Sequence, residues 1–250
     1  MAVPTTASPG TGPGSPRGRL PLEAGDSAGL TARLERWESW FTALPLAGYL
    51  VLHLVTRALA FGAGEFEGGL RAFEARHPLL LAVQFTLIAG AFAAHASVGF
   101  WRMLRQPARP ELAGMPRASR ELSYGSALVL FAFIVFHVWQ FEGRLWLGEI
   151  DRTDFPSELI ASLSSTTAGG IPLCALGYCV ALAAAAVHLG LAAYRAGLRS
   201  GLARSRRAPW FGRACVGVAL LFFLGGTLLV IDVATGSLAL TSVRLGALGR

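Results

Sequence analysis

Lysine is missing from this 250-residue chain: all 22 basic side chains are arginine. Charge of either sign is scarce, at 15% of residues against 53% hydrophobic, too little to clothe the surface of a water-soluble fold of this size. Cysteine occurs three times, at Cys174, Cys179 and Cys215, each inside an apolar run. That placement excludes a disulfide framework and a CxxC metal site, and leaves the three as small buried hydrophobes. Residues 1–28 lack the apolar core of a secretory signal and are rich in Pro, Gly, Ser and Thr. They read as a disordered tail that buries too little to order itself, ahead of a first membrane segment that is retained.

What the chain has instead is long apolar runs. Five of them, at about 41–61, 79–101, 124–141, 172–194 and 213–232, match the roughly 20 residues that a helix needs to cross about 30 Å of hydrocarbon. The expected fold is therefore an all-α membrane protein, a bundle of five transmembrane helices occupying residues 29–250. Fifteen arginines fall before the first run or between runs two and three and runs four and five; seven fall on the other side. With six acids on the first side and nine on the second, the balance is +9 against −2. The positive-inside rule then puts the N-terminus in the cytoplasm and the C-terminus outside. The same bias accounts for the net charge of +7, so nucleic acid is not expected as a partner. A multi-pass protein of a bacterial inner membrane is the expected setting.

Four histidines sit late in four of the runs: His53, His95, His137 and His188. An ionisable side chain at membrane depth is costly, and faces the bundle interior where something answers it. Because alternate helices run in opposite directions, the four sort into two levels. His53 and His137 fall nearer the outside, His95 and His188 nearer the cytoplasm. Two imidazoles facing each other across a helix bundle are the axial ligand set of a six-coordinate b-type haem, and no CxxCH stretch suggests covalent attachment. Two haems at two depths would form an electron path across the bilayer. Arg102, Arg144 and Arg195 each follow a histidine by seven residues and Arg57 follows His53 by four, which puts them on the histidine face as candidate partners for haem propionates.

LPLAGYLVLHL, FAAHASVGFWRM, FHVWQF and AAVHLGLAAYR, in that order, with no histidine in the fifth run, resemble the five-helix di-haem cytochrome b subunit of succinate dehydrogenases and fumarate reductases. The resemblance covers about residues 30–235. It implies that His95 and His188 hold the haem nearer an iron–sulfur subunit and that His53 and His137 hold the distal one. It also implies a flavoprotein and an iron–sulfur protein docked on the cytoplasmic side, with menaquinone or ubiquinone as the membrane substrate. Succinate itself would be oxidised elsewhere in such a complex. Glu65, Glu67, Glu74 and His77, near the outer ends of the first two helices, are then candidates for the quinone site. The chain departs from some relatives at Ala186, where they carry a glutamate linked to transmembrane proton movement. Two other readings compete. One is a di-haem subunit of a nitrate-reductase-like or hydrogenase-like enzyme, although those usually place two ligands on one helix. The other is a haem-free transporter whose histidines relay protons.

Overall fold

The computed structural model describes residues 33, 37, 39–62, 76–105, 117–199 and 208–235. The N-terminal tail, Glu65, Glu67 and Glu74 lie outside the described residues. Six helices organise the rest: α1 (Leu44–Gly62), α2 (Pro78–Arg105), α3 (Arg117–Val138), α4 (Phe155–Ser164), α5 (Leu173–Arg199) and α6 (Ala208–Thr235). All but α4 are long and apolar enough to cross a membrane, the candidate spans being Phe41–Ala58, Ala82–Leu104, Ala118–Trp146, Leu173–Leu198 and Pro209–Thr235. Large apolar side chains such as Leu79, Leu87, Trp210 and Leu221 stand exposed along them. On a soluble protein that surface would be a liability; on a bundle in lipid it is the solvent-facing side. The chain is a multi-pass helical membrane protein.

Two of the helices begin or end in a widened, π-helical turn. Ser39–Ala43 forms one just before α1, so the helix starts a turn ahead of Pro45 instead of at it. Proline has no N–H to give the carbonyl four residues back and its ring crowds that carbonyl; a wider turn relieves both. The second, Trp139–Gly143, continues α3 beyond Val138 and leads into a last turn at Arg144–Trp146. Gly143 is required here, because a Cβ at that position would come within 2.6 Å of the Trp139 ring. The helix then stops at Gly148, whose φ of +70° lies in the left-handed region that favours glycine. The Glu149 N–H donates to the Arg144 carbonyl and the Gly148 N–H to the Leu145 carbonyl, the paired bonds of a Schellman terminus.

The stretch expected to be an outer loop, about 143–171, holds the short helix α4. Its start is signalled by Asp151 and Asp154, the Asp151 N–H donating to Asp154 Oδ2 at 3.0 Å, and by Pro156 in the first turn. Leu159 and Leu163 share its inner face. Leu163, 2% exposed, is packed with Ala175 of α5 and Val230 and Val233 of α6, with Cys174 and Cys179 against the same cluster. The helix lies as a lid across one end of α5 and α6. The three cysteines are free and half-buried.

α5 packs most extensively on α6, then on α3, while α1 packs on α2. Small residues allow the first contact, as lipid-embedded helices require. A Cβ at Gly190 would touch Ala219, one at Gly226 would reach 2.6 Å from Leu182, and Gly197 is covered by the Phe211 ring. Gly48, Gly90, Gly99, Gly177, Gly217 and Gly225 have nothing within 4 Å of where a Cβ would stand. Among the described residues no neighbouring helix comes that close to them. A helix presents glycine on every side, and only the partner's position makes one of them a contact.

Gly226→Leu should therefore force α5 and α6 apart and cost about 1–3 kcal/mol, the usual penalty for overpacking. Gly217→Ala should be neutral or slightly stabilising. Thermal unfolding of the two variants in detergent checks the contrast.

Candidate functional site

The bundle brings the four intramembrane histidines together in two pairs. The His53 and His137 rings lie 6.1 Å apart, centroid to centroid, with their planes at 82°. The His95 and His188 rings lie 6.2 Å apart at 87°. Neither α1 with α3 nor α2 with α5 is a closely packed helix pair, so the rings reach towards each other across space that the backbones leave between them. Tyr178, in contact with His137, marks the level of the first pair on α5. His188 lies ten residues further on, about 15 Å at 1.5 Å per residue. The pairs occupy two levels of one bundle.

Two imidazoles bound to one metal at about 2 Å per bond, with the ring radius added on each side, put their centroids on the order of 6 Å apart. Both pairs meet that spacing. Among the described residues, His, Cys, Asp and Glu side chains nowhere gather in threes, so the donors come as couples. Two imidazoles without a third donor beside them would suit a metal that brings the rest of its own ligands. Gly99, one turn beyond His95 on the same face of α2, has nothing within 4 Å of where a Cβ would stand.

The first pair sits in an aromatic cage. Phe133 stacks on His137 at 5.6 Å, Phe141 meets its edge at 5.2 Å, and Tyr49 stacks on His53 at 5.7 Å. A polar chain leads out of this cage. His137 Nδ1 is 2.8 Å from the Tyr178 hydroxyl, which donates to Gln140 Oε1 at 3.0 Å. Gln140 Nε2 in turn donates to Ser162 Oγ on α4 at 2.9 Å. Gln140 is buried, so each of its amide atoms needs the partner it has.

The arginines fare differently. Arg57 is half-buried and within electrostatic reach of both His53 and His137. Arg102 and Arg195 are half-buried near the ends of their helices. Arg144 is engaged by two carboxylates, Glu158 at 2.7 Å and Glu149 at 3.2 Å, and so ties the end of α3 to α4. Arg152 makes a two-pronged pair with Glu142 in the same lid. His77 is exposed, one residue before α2. Ala186 is buried in α5. Residues that sequence reasoning passed over are Tyr178, Gln140 and Ser162, together with Asp232, fully buried near the end of α6. Gln140 and Asp232 carried a signal, since a polar side chain in an apolar run is costly unless answered. Tyr178 and Ser162 carried none.

No known protein family matches the chain, and no curated protein or solved structure is similar to it. The class that fold and site define is that of a multi-pass membrane bundle with its deep histidines gathered two by two.

Removing the Ser162 hydroxyl tests how tightly the polar chain is bound into the fold. Ser162→Ala should leave a buried Gln140 N–H unanswered and lower stability by about 1–3 kcal/mol. Exposed Ser165→Ala should stay within about 0.5 kcal/mol. Unfolding in detergent gives both values.

Proposed function

We propose that this chain is the membrane-anchor and electron-transfer subunit of a succinate:quinone oxidoreductase, of the succinate dehydrogenase and fumarate reductase type. The observation that carries the reading is the spacing of the two imidazole pairs, at two levels of one bundle, each right for a shared iron. In this reading His95 and His188 hold one b-type haem on the cytoplasmic side, and His53 and His137 hold the other towards the outside. When bound, the haems supply one-electron transfer between an iron–sulfur subunit and membrane quinone.

The protein's own part is to hold, orient and insulate. Neutral imidazoles present one nitrogen each, and the aromatic cage of Phe133, Phe141 and Tyr49 keeps water from the outer pair. Arg57, placed to act on both outer histidines, is the best-situated cation for an anionic substituent there. Arg102 and Arg195 have the corresponding position at the inner ends of their helices. Arg144 serves the lid, where its two carboxylate partners consume its charge. His77, Glu65, Glu67 and Glu74 remain the candidates for the quinone end. A flavoprotein and an iron–sulfur protein would dock on the arginine-rich cytoplasmic side of a bacterial inner membrane. Succinate chemistry belongs to those partners. The nitrate-reductase-like alternative shares the haem sites but concentrates ligands on fewer helices, whereas here each of four helices supplies one.

Purified protein should show b-type absorption on dithionite reduction and two haems per chain. His95→Ala or His188→Ala should remove one haem, and His53→Ala or His137→Ala the other. Two haems per chain in all four variants would overturn the assignment. Co-purification with a flavin-containing and an iron–sulfur-containing subunit separates this complex from other haem-bearing respiratory enzymes.

A further inference from the structure

We propose that Tyr178 is the positioning residue of His137: through the chain Tyr178–Gln140–Ser162 it fixes which imidazole nitrogen is bare and how strongly that nitrogen donates. The inference rests on the reading of His137 as an iron ligand and names a part of the site which that reading leaves open. Its basis is the order of the hydrogen bonds. The Tyr178 hydroxyl has one proton, and it is given to Gln140 Oε1. What faces His137 Nδ1 at 2.8 Å is therefore an oxygen lone pair, and the contact is a hydrogen bond only if Nδ1 carries the ring's proton. Nε2 is then the one nitrogen with a free electron pair.

Gln140 sets the sense of this chain. With its oxygen towards Tyr178 and its amide nitrogen towards Ser162 Oγ, it takes the phenol proton. Turned end for end, it would donate to the phenol, the phenol to Nδ1, and the proton would move to Nε2, blocking a metal. Ser162 stands on α4, and α4 is fixed by Leu163 in the lid core and by the Arg144–Glu158 pair. The lid thus reaches the imidazole through three side chains. A ligand imidazole that donates its second N–H becomes more basic, and losing such a partner typically costs about 10- to 100-fold in metal affinity. A more basic ligand favours ferric iron, so the intact chain holds the outer haem at a lower midpoint potential.

The test is Tyr178→Phe, which keeps the ring against Phe133 and removes one oxygen, with Gln140→Leu beside it. In the haem-loaded protein, redox titration should show one of the two midpoint potentials shifted upward and the other unchanged, with the affinity for the outer haem about 10- to 100-fold weaker. Gln140→Leu should move the same haem. Loss of exactly the haem that His137→Ala loses also supports the proposal. A fall in thermal stability with both potentials and both affinities unmoved overturns it, because that is what a packing role alone would give. Nitrogen-15 NMR of haem-free protein is the second arm: His137 should carry its proton on Nδ1 in the native chain and lose that preference in Tyr178→Phe. Nε2 protonation in the native chain overturns the proposal. Failure of the native protein to bind haem would sink the electron-transfer reading, while the NMR arm would still decide the role of Tyr178.

Discussion

An imidazole at membrane depth has no water to turn to, and the placing of four of them governs most of what this bundle does. Each must be answered by another group, because an unanswered polar nitrogen in hydrocarbon costs several kcal/mol. Two, on α1 and α3, face each other with ring centroids 6.1 Å apart, and two, on α2 and α5, with centroids 6.2 Å apart. For that to happen the bearing helices must stand across from one another without closing up, and they are not close neighbours in the packing. Close packing is left to other pairs, above all α5 with α6, where glycines at 190 and 226 bring the backbones together.

The bundle is built unequally along its length. At one end a lid of α4, a Schellman terminus and two ion-pair clusters binds α3, α5 and α6 into one unit, and most of the well-buried apolar side chains, including Leu163, Ala175, Val230 and Val233, lie there. α1 and α2 are held by fewer neighbours and show large apolar side chains to the surroundings. The His53–His137 pair bridges these two regions, His137 from the braced side and His53 from the looser one. One ring is thereby anchored through hydrogen bonds to the lid, and the other is positioned by stacking on Tyr49.

Five crossings and the grouping of the histidines were legible in the sequence because both follow from one-dimensional regularities: run length and depth along alternating helices. Helix ends were less so. α3 starts at Arg117, ahead of the apolar run, since Arg117–Ser123 consists of residues that continue a helix in water and leave no mark on hydropathy. α4 was hidden because its inner face needs only Phe155, Leu159 and Leu163, a pattern diluted by the acids around it. The contacts of Tyr178 and of Gly197 were beyond reach for a different reason. Nothing in Tyr178 itself distinguishes it from an interfacial tyrosine; what matters is that Gln140 and His137, some forty residues away, stand opposite. Arg144 shows the converse. Seven residues after His137 it matched the pattern for an anion partner, and the carboxylates that claim it, Glu149 and Glu158, lie on a segment whose folding the pattern did not reveal.

The widened turn at Trp139–Gly143 sets the phase of everything that follows His137. A π turn carries one residue more than an α turn, so side chains beyond it are rotated by about 100° relative to an uninterrupted helix. The membrane-embedded half of α3 can therefore keep the angular frame that aims His137 inward, while the final turn adopts another frame that delivers Arg144 to the lid. The two halves are geared separately, and changes of sequence on one side of the joint need not propagate to the other.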